Sequence, residues 1–155
     1  MKFGTPGHPL LVEEDAQAVL EACVGAIERL HREIPDREVS CLLRTENVLR
    51  NVAHAAELRV VYEIPHDWGG VLWRAVDEGT TQFVPDVKAD ADYLAQDESI
   101  RAEIAVPVWA GDDVVGAINV ESTTPLGERE VKIAERAAEE LGSELAKLTV
   151  SSIRR

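Results

Sequence analysis

Cysteine is scarce. The two present in 155 residues, Cys23 and Cys41, do not make a disulfide framework or a metal-binding motif. Positive charge is also short: 16 Lys and Arg face 29 Asp and Glu, giving a formal net charge of -13. That excess repels phosphate backbones and anionic headgroups, so neither nucleic acid nor a membrane is expected as a partner. Its plain use is solubility. No apolar run reaches membrane-spanning length, and Met1 to Pro9 holds no signal-type apolar region, so a cytoplasmic protein is expected. Repeats, low-complexity tracts, phosphate loops and Ser/His/Asp groupings are all missing. His54 and His66 match no common ligand spacing, so no metal or cofactor is expected.

What is present is 45% hydrophobic residues, enough for one domain with a substantial core. Two glycines and two prolines around His8 suggest a flexible lead-in over residues 1–11, followed by a single domain over 12–149 and a short tail over 150–155. From Val12 to Ile34, Ala16, Val19, Leu20, Cys23, Ile27, Leu30 and Ile34 recur at helical spacing. Pro35 and Asp36 end that helix. Cys23 lies on its apolar stripe and reads as core. Strands are expected over Glu38–Arg44, over Asn47–Ala56 and within Glu57–Ile64. Trp68–Glu78 reads as a short helix stopped by Gly79. A short strand follows at Thr81–Pro85. Residues 86–101 form a long irregular segment with a helical turn near Asp90–Leu94, and such loops are usually functional or mobile. The chain closes on a helix with Ala134, Ala137, Ala138, Leu141, Leu145 and Leu148 on one stripe, and with Glu130 where a capping-box acid would stand.

Between these lies a hairpin, Ile104–Ser122, turning at Ala110-Gly-Asp-Asp113. Alternation puts Ile104, Val106 and Val108 on one face with Val114, Gly116, Ile118 and Val120. The other face carries Glu103, Ala105, Pro107 and Trp109 with Val115, Ala117, Asn119 and Glu121. The first face is wholly apolar and needs a cover. The second carries two acids and an amide near its end. A sheet with a core side and a pocket side follows, in an α+β arrangement with the N- and C-terminal helices on one face.

Four segments in order resemble the GAF domain family. They are Trp68-Gly-Gly-Val-Leu-Trp-Arg-Ala-Val-Asp-Glu-Gly79, Phe83-Val-Pro-Asp-Val87, Ser99-Ile-Arg-Ala-Glu-Ile-Ala-Val-Pro-Val108 and Val115-Gly-Ala-Ile-Asn-Val-Glu-Ser122. With Val12–Ala56 supplying the first helix and strands, the resemblance covers nearly the whole chain. It implies a central antiparallel sheet with a small-molecule pocket under loops and a short helix, opposite the terminal helices. Free methionine-(R)-sulfoxide reductases share this family and use a thiolate nucleophile. Aligned on Glu103, their nucleophile falls at Gln96 here, with Asp97 matching the acid beside it. Their pocket acids fall at Glu103, Asn119 and Glu121. The resemblance therefore implies a binding constellation without its nucleophile. Bilin-bearing members carry a pocket cysteine, and residues 57–122 contain none.

The expected ligand site comprises Glu103, Asn119 and Glu121 on the floor, with Tyr62, Trp68, Phe83, Asp86 and Tyr93 around it. Acids on an apolar face are costly unless partnered, and rings supply contact area. The alternatives are solvated strand-end acids, an Asp86 that caps its own loop, and aromatics that merely pack. The function implied is small-molecule sensing or regulation without catalysis, in a homodimer formed through the terminal helices. The alternative is an interaction module with an empty pocket. A sulfoxide reductase-like enzyme is the more remote one.

Overall fold

The computed structural model describes residues 16–55, 62–94 and 98–154, with backbone only over 149–154. The helix start expected at Val12, the lead-in, residues 57–61 of the third strand, Gln96 and Asp97 lie outside these.

Helix α1 (Ala16–Glu33) leads into strands β1 (Glu38–Thr45), β2 (Val48–Ala55) and β3 (Glu63–Pro65). Then come α2 (Val71–Glu78), β4 (Gln82–Val84), the long hairpin strands β5 (Ala102–Ala110) and β6 (Asp113–Ser122), and α3 (Glu128–Arg154). One antiparallel sheet of order β3-β2-β1-β6-β5-β4 results. The hairpin lies inside it, with β6 central.

Alternation on these strands sorts the core into two layers. Val39, Cys41, Leu43, Ile104, Val106, Val108, Ile118 and Val120 meet Val19, Cys23, Ile27 and Leu30 of α1 and Leu141 and Leu145 of α3. On the opposite face Leu42, Leu49, Ile64, Ala105 and Ala117 meet Leu72, Trp73, Ala75 and Val76 of α2. Trp73 is fully enclosed, and its Nε1 donates to the Ile64 carbonyl oxygen at 2.8 Å, so its one polar atom is satisfied. The apolar stripes of α1 and α3 are therefore spent on their own sheet. Outward, α1 shows Val24 at 37% exposure.

Several local expectations are corrected. The short helix begins at Val71, not Trp68, because Gly69 and Gly70 both take positive φ and break the chain between a single 3-10 turn (His66–Trp68) and α2. Val114 and Val115 exchange faces. Val108 pairs with Gly116 but Trp109 pairs with Val114, so Val115 is a bulge residue and the alternation changes phase there. A second bulge at Val52 blurs the pattern of β2: Cys41 pairs with Ala53 but Leu42 with Asn51. The long segment has a 3-10 turn at Val87–Ala89 as well as the expected turn after Asp90, where the Tyr93 N–H donates to the Asp90 carbonyl oxygen at 3.3 Å. The last helix runs on as backbone to Arg154, through the positions expected as a tail. At its start the Gly127 N–H donates to Glu130 Oε1 at 2.7 Å, the bond expected of a capping-box acid.

Candidate functional site

Antiparallel register sets Glu103 directly opposite Glu121. Both face away from α1 and α3, and both are buried, at 4% and 8% exposure. One strand position on, Asn119 pairs with Ala105 and Ser40. Its Nδ2 donates to Glu121 Oε1 at 2.9 Å, while its Oδ1 has no hydrogen-bond partner among the described residues. Burial raises the Glu103 carboxyl well above its ordinary range, the neighbouring charges of Glu121 and Asp90 push the same way, and Arg74 opposes them.

A cover lies over these acids. Glu103, Glu121, Ile64, Gly70, Val71, Leu72 and Leu94 enclose a recess of only about 10 Å³, room for about one water. Leu94 reaches into it because Gly70 has no side chain: a Cβ there would stand 2.9 Å from Leu94 Cδ1, and φ is +102°. Arg74 on α2 holds the same segment. Its guanidinium donates to both Asp90 carboxylate oxygens, at 3.1 and 2.8 Å, to Asp92 Oδ2 at 2.9 Å and to Gln82 Oε1 at 2.9 Å. The forked pair with Arg74 holds the Asp90 carboxyl below its ordinary range against the opposing effect of partial burial. At the other end of α2, His66 Nε2 meets Asp77 Oδ2 at 2.8 Å, and the imidazole stands edge-on to Trp73.

The expected site residues divide. Glu103, Asn119 and Glu121 come together, and the half-buried Tyr93 packs against the same apolar cluster. Tyr62 is 62% exposed and stacks edge-on with His54, and Trp68 is exposed on its 3-10 turn. Phe83 is exposed and pairs with Ile104, which puts it on the helix-facing side of β4. Asp86 is exposed and accepts from its own Lys88 N–H at 3.1 Å, the self-capping alternative. The sequence reading did not include Arg74, Gln82, Asp90, Asp92 or Leu94. One signal was available. Arg74 is the single basic residue between Arg59 and Lys88, and an Asp-Ala-Asp triplet follows at 90–92.

Both thiols lie on the far side of the sheet, fully buried between α1 and β1. The neighbouring Cys23 thiol and burial together push the Cys41 thiol up. Among the described residues, no group of three or more His, Cys, Asp or Glu is placed to hold a metal ion, and no helix is long and apolar enough to cross a membrane.

The sequence pattern of the GAF domain matches residues 13–146. The chain belongs to the GAF domain family. Solved structures agree with this fold. This GAF domain is similar to a type II free methionine-R-sulfoxide reductase from Thermoplasma acidophilum, with TM-score 0.76, 21% identity, and coverage of 85% of this chain and 95% of that one. It is similar also to the free methionine-R-sulfoxide reductase of Neisseria meningitidis in complex with its substrate, with TM-score 0.76, 20% identity, and coverage of 86% and 81%. A third is the GAF domain of a phosphoenolpyruvate-protein phosphotransferase from Coxiella burnetii, with TM-score 0.73, 13% identity, and coverage of 87% and 86%. At such identities the likeness establishes the fold alone. No functionally curated sequence matches it.

Proposed function

We propose that this GAF domain is a small-molecule sensor whose ligand presents an ammonium group, or several N–H or O–H donors, to Glu103, Glu121 and Asn119. The observation that carries this reading is the pair of carboxylates buried face to face beneath a cover. Two acids buried face to face repel each other, and a cation between them turns that repulsion into two attractions. Free amino acids and their side-chain derivatives fit this chemistry. So does the class of molecule named in the two reductases, free methionine-R-sulfoxide. The reading is non-catalytic because sulfoxide reduction needs an accessible thiolate, and both thiols of this chain stand across the sheet from the acids. Ligand entry displaces Leu94 and loads the hairpin. Ile118 and Val120 on the far face of β6 share the apolar layer that holds α1 and α3, which gives the signal a route out.

Titration calorimetry with methionine-R-sulfoxide, methionine and their N-acetyl derivatives tests the reading. Free amines are expected to bind. Acetylation, Glu103→Gln and Glu121→Gln should each weaken binding by tenfold or more. Affinity should rise with pH as Glu103 ionises. Dithiothreitol with the bound sulfoxide should yield no methionine. Binding that ignores acetylation would overturn the ligand class, and reduction would overturn the non-catalytic reading.

The narrow recess, about 10 Å³, favours a second reading, an interaction module that never opens. It predicts no thermal shift with any amine at millimolar concentration. Pairing of two copies is a separate proposal. The inner stripes of α1 and α3 are occupied, so a second copy would seat on their outer faces around Val24. Sedimentation of the wild type against Val24→Glu checks it, and a concentration-independent monomer removes it.

A further inference from the structure

A larger hollow lies at the edge of the sheet, where β5 outruns its neighbour. Strand β4 stops at Gln82, opposite Ala105, so beyond that point β5 keeps β6 on one side and has no strand on its outer side. Next to this free edge a groove of about 440 Å³ runs between β5 and α3. It follows α3 from Glu135 to Ala146, a length of roughly 16 Å at the helical rise per residue. Four or five extended residues span about that distance.

An added strand is not what this edge favours. Pro107 sits in it and has no N–H to give to a ladder, the usual device for blunting an edge. The groove is instead shaped for side chains. Its prominent wall is Trp109, 45% exposed yet held on two sides. Gly142 brings the α3 backbone against the Trp109 main chain, where a Cβ would fall 2.1 Å from the carbonyl oxygen. The indole lies over Gly79, where a Cβ would fall 2.6 Å from Cζ2. A positioned ring with an open side is an anchor that loses little freedom when something lands on it. Facing it on α3 are Glu135 and Glu139. Thr81 Oγ1 donates to Glu135 Oε2 at 2.7 Å and fixes that carboxylate across the groove. No lysine or arginine is among the described residues that line it.

We propose that this groove docks an extended segment of a partner protein by taking an arginine side chain between Trp109 and the two carboxylates. The charge complementarity is direct: two acids and no base inside, on a chain of net charge -13. A guanidinium stacks flat on an indole while its edge forks a carboxylate, which an ammonium cannot do as well. The small residues Ala138 and Ala146 leave space for flanking apolar side chains of the same segment. This interface does not use the Glu103 site, and the two readings fail separately.

The test uses a blocked pentapeptide with arginine at its centre and valine on either side. Its lysine and citrulline counterparts serve as comparisons, followed by amide and indole resonances of the whole chain. The arginine peptide is expected to move the Trp109 indole and the Gly142 and Ser143 amides. Lysine should bind several-fold more weakly and citrulline, the same shape without charge, at least tenfold more weakly. Trp109→Ala and the exposed double variant Glu135→Gln/Glu139→Gln should each cost tenfold or more, and the double variant keeps the fold if the ring is needed for it. Equal binding of the citrulline peptide, unchanged binding by both variants, or shifts spread over the acids of α1 would overturn the proposal. So would no binding at several millimolar, or a dimer that Trp109→Ala dissolves, which would assign the groove to a second copy.

Discussion

Glu103 is the residue on which the proposed site depends. Its folded-state pKa lies above the ordinary 4.5, so folding takes up a proton in the window above that value. Stability is therefore lost as pH rises through the window, and is unaffected below it. Glu103→Gln removes the ionisable group and keeps the shape. We expect it to stabilise the chain at pH 8 by about 1–3 kcal/mol, the cost of a poorly partnered buried polar group. For a chain of this size that is roughly 2–4 °C in Tm per kcal/mol. The gain should vanish near pH 4, and melting curves across pH check it. Parallel wild-type and variant profiles would show that Glu103 is not desolvated. A cationic ligand should reverse the sign by stabilising the wild type alone. That Glu103, Asn119 and Glu121 share one face was legible at this scale because acids on an apolar strand face stand out. Tyr62, Trp68 and Phe83 were less so: a ring near a pocket in sequence need not point into it.

At the scale of elements, α2 acts as a clamp. Arg74 ties it to the 90–94 segment, and Trp73 ties it to β3. The Arg74 pair depresses the Asp90 pKa, so its contribution is present above the ordinary 3.8 and is lost as pH falls through the still lower folded value. Side-chain exposures of 27% and 17% place the pair between a surface and a buried bridge. Arg74→Ala should speed hydrogen exchange of the 90–94 amides by about tenfold, or ~1.4 kcal/mol. Exchange in α3 should not change. If α3 exchanged faster as well, the clamp would be supporting the whole domain rather than a cover. Element types and order followed from periodicity and turn chemistry. Phase was lost at the Val52 and Val115 bulges. Nothing local marks an inserted residue, and Val115 lies beside the point where α3 presses on the Trp109 backbone.

For the whole molecule, the sheet separates two environments. One side holds both thiols among apolar side chains, and the other holds the acids. A thiol reagent added to the native chain should modify neither Cys23 nor Cys41 over minutes, and both together once the chain unfolds. Stoichiometric reaction of one thiol in the native state would reopen the possibility of sulfur chemistry.

The α+β class, the strand that carries the acids, the two-faced hairpin and the lack of a thiol in residues 57–122 are all readable from the order of residues. Each is a matter of residue type and local period, which the chain carries without knowing its neighbours. It took the folded chain to show that Arg74 and Gly70 close the cover, that Phe83 and Asp86 are exposed while the acids are buried, and that β5 leaves a groove beside Trp109. Those outcomes depend on which segments meet. Distant pairing is fixed by packing the whole core, and no window of sequence contains it.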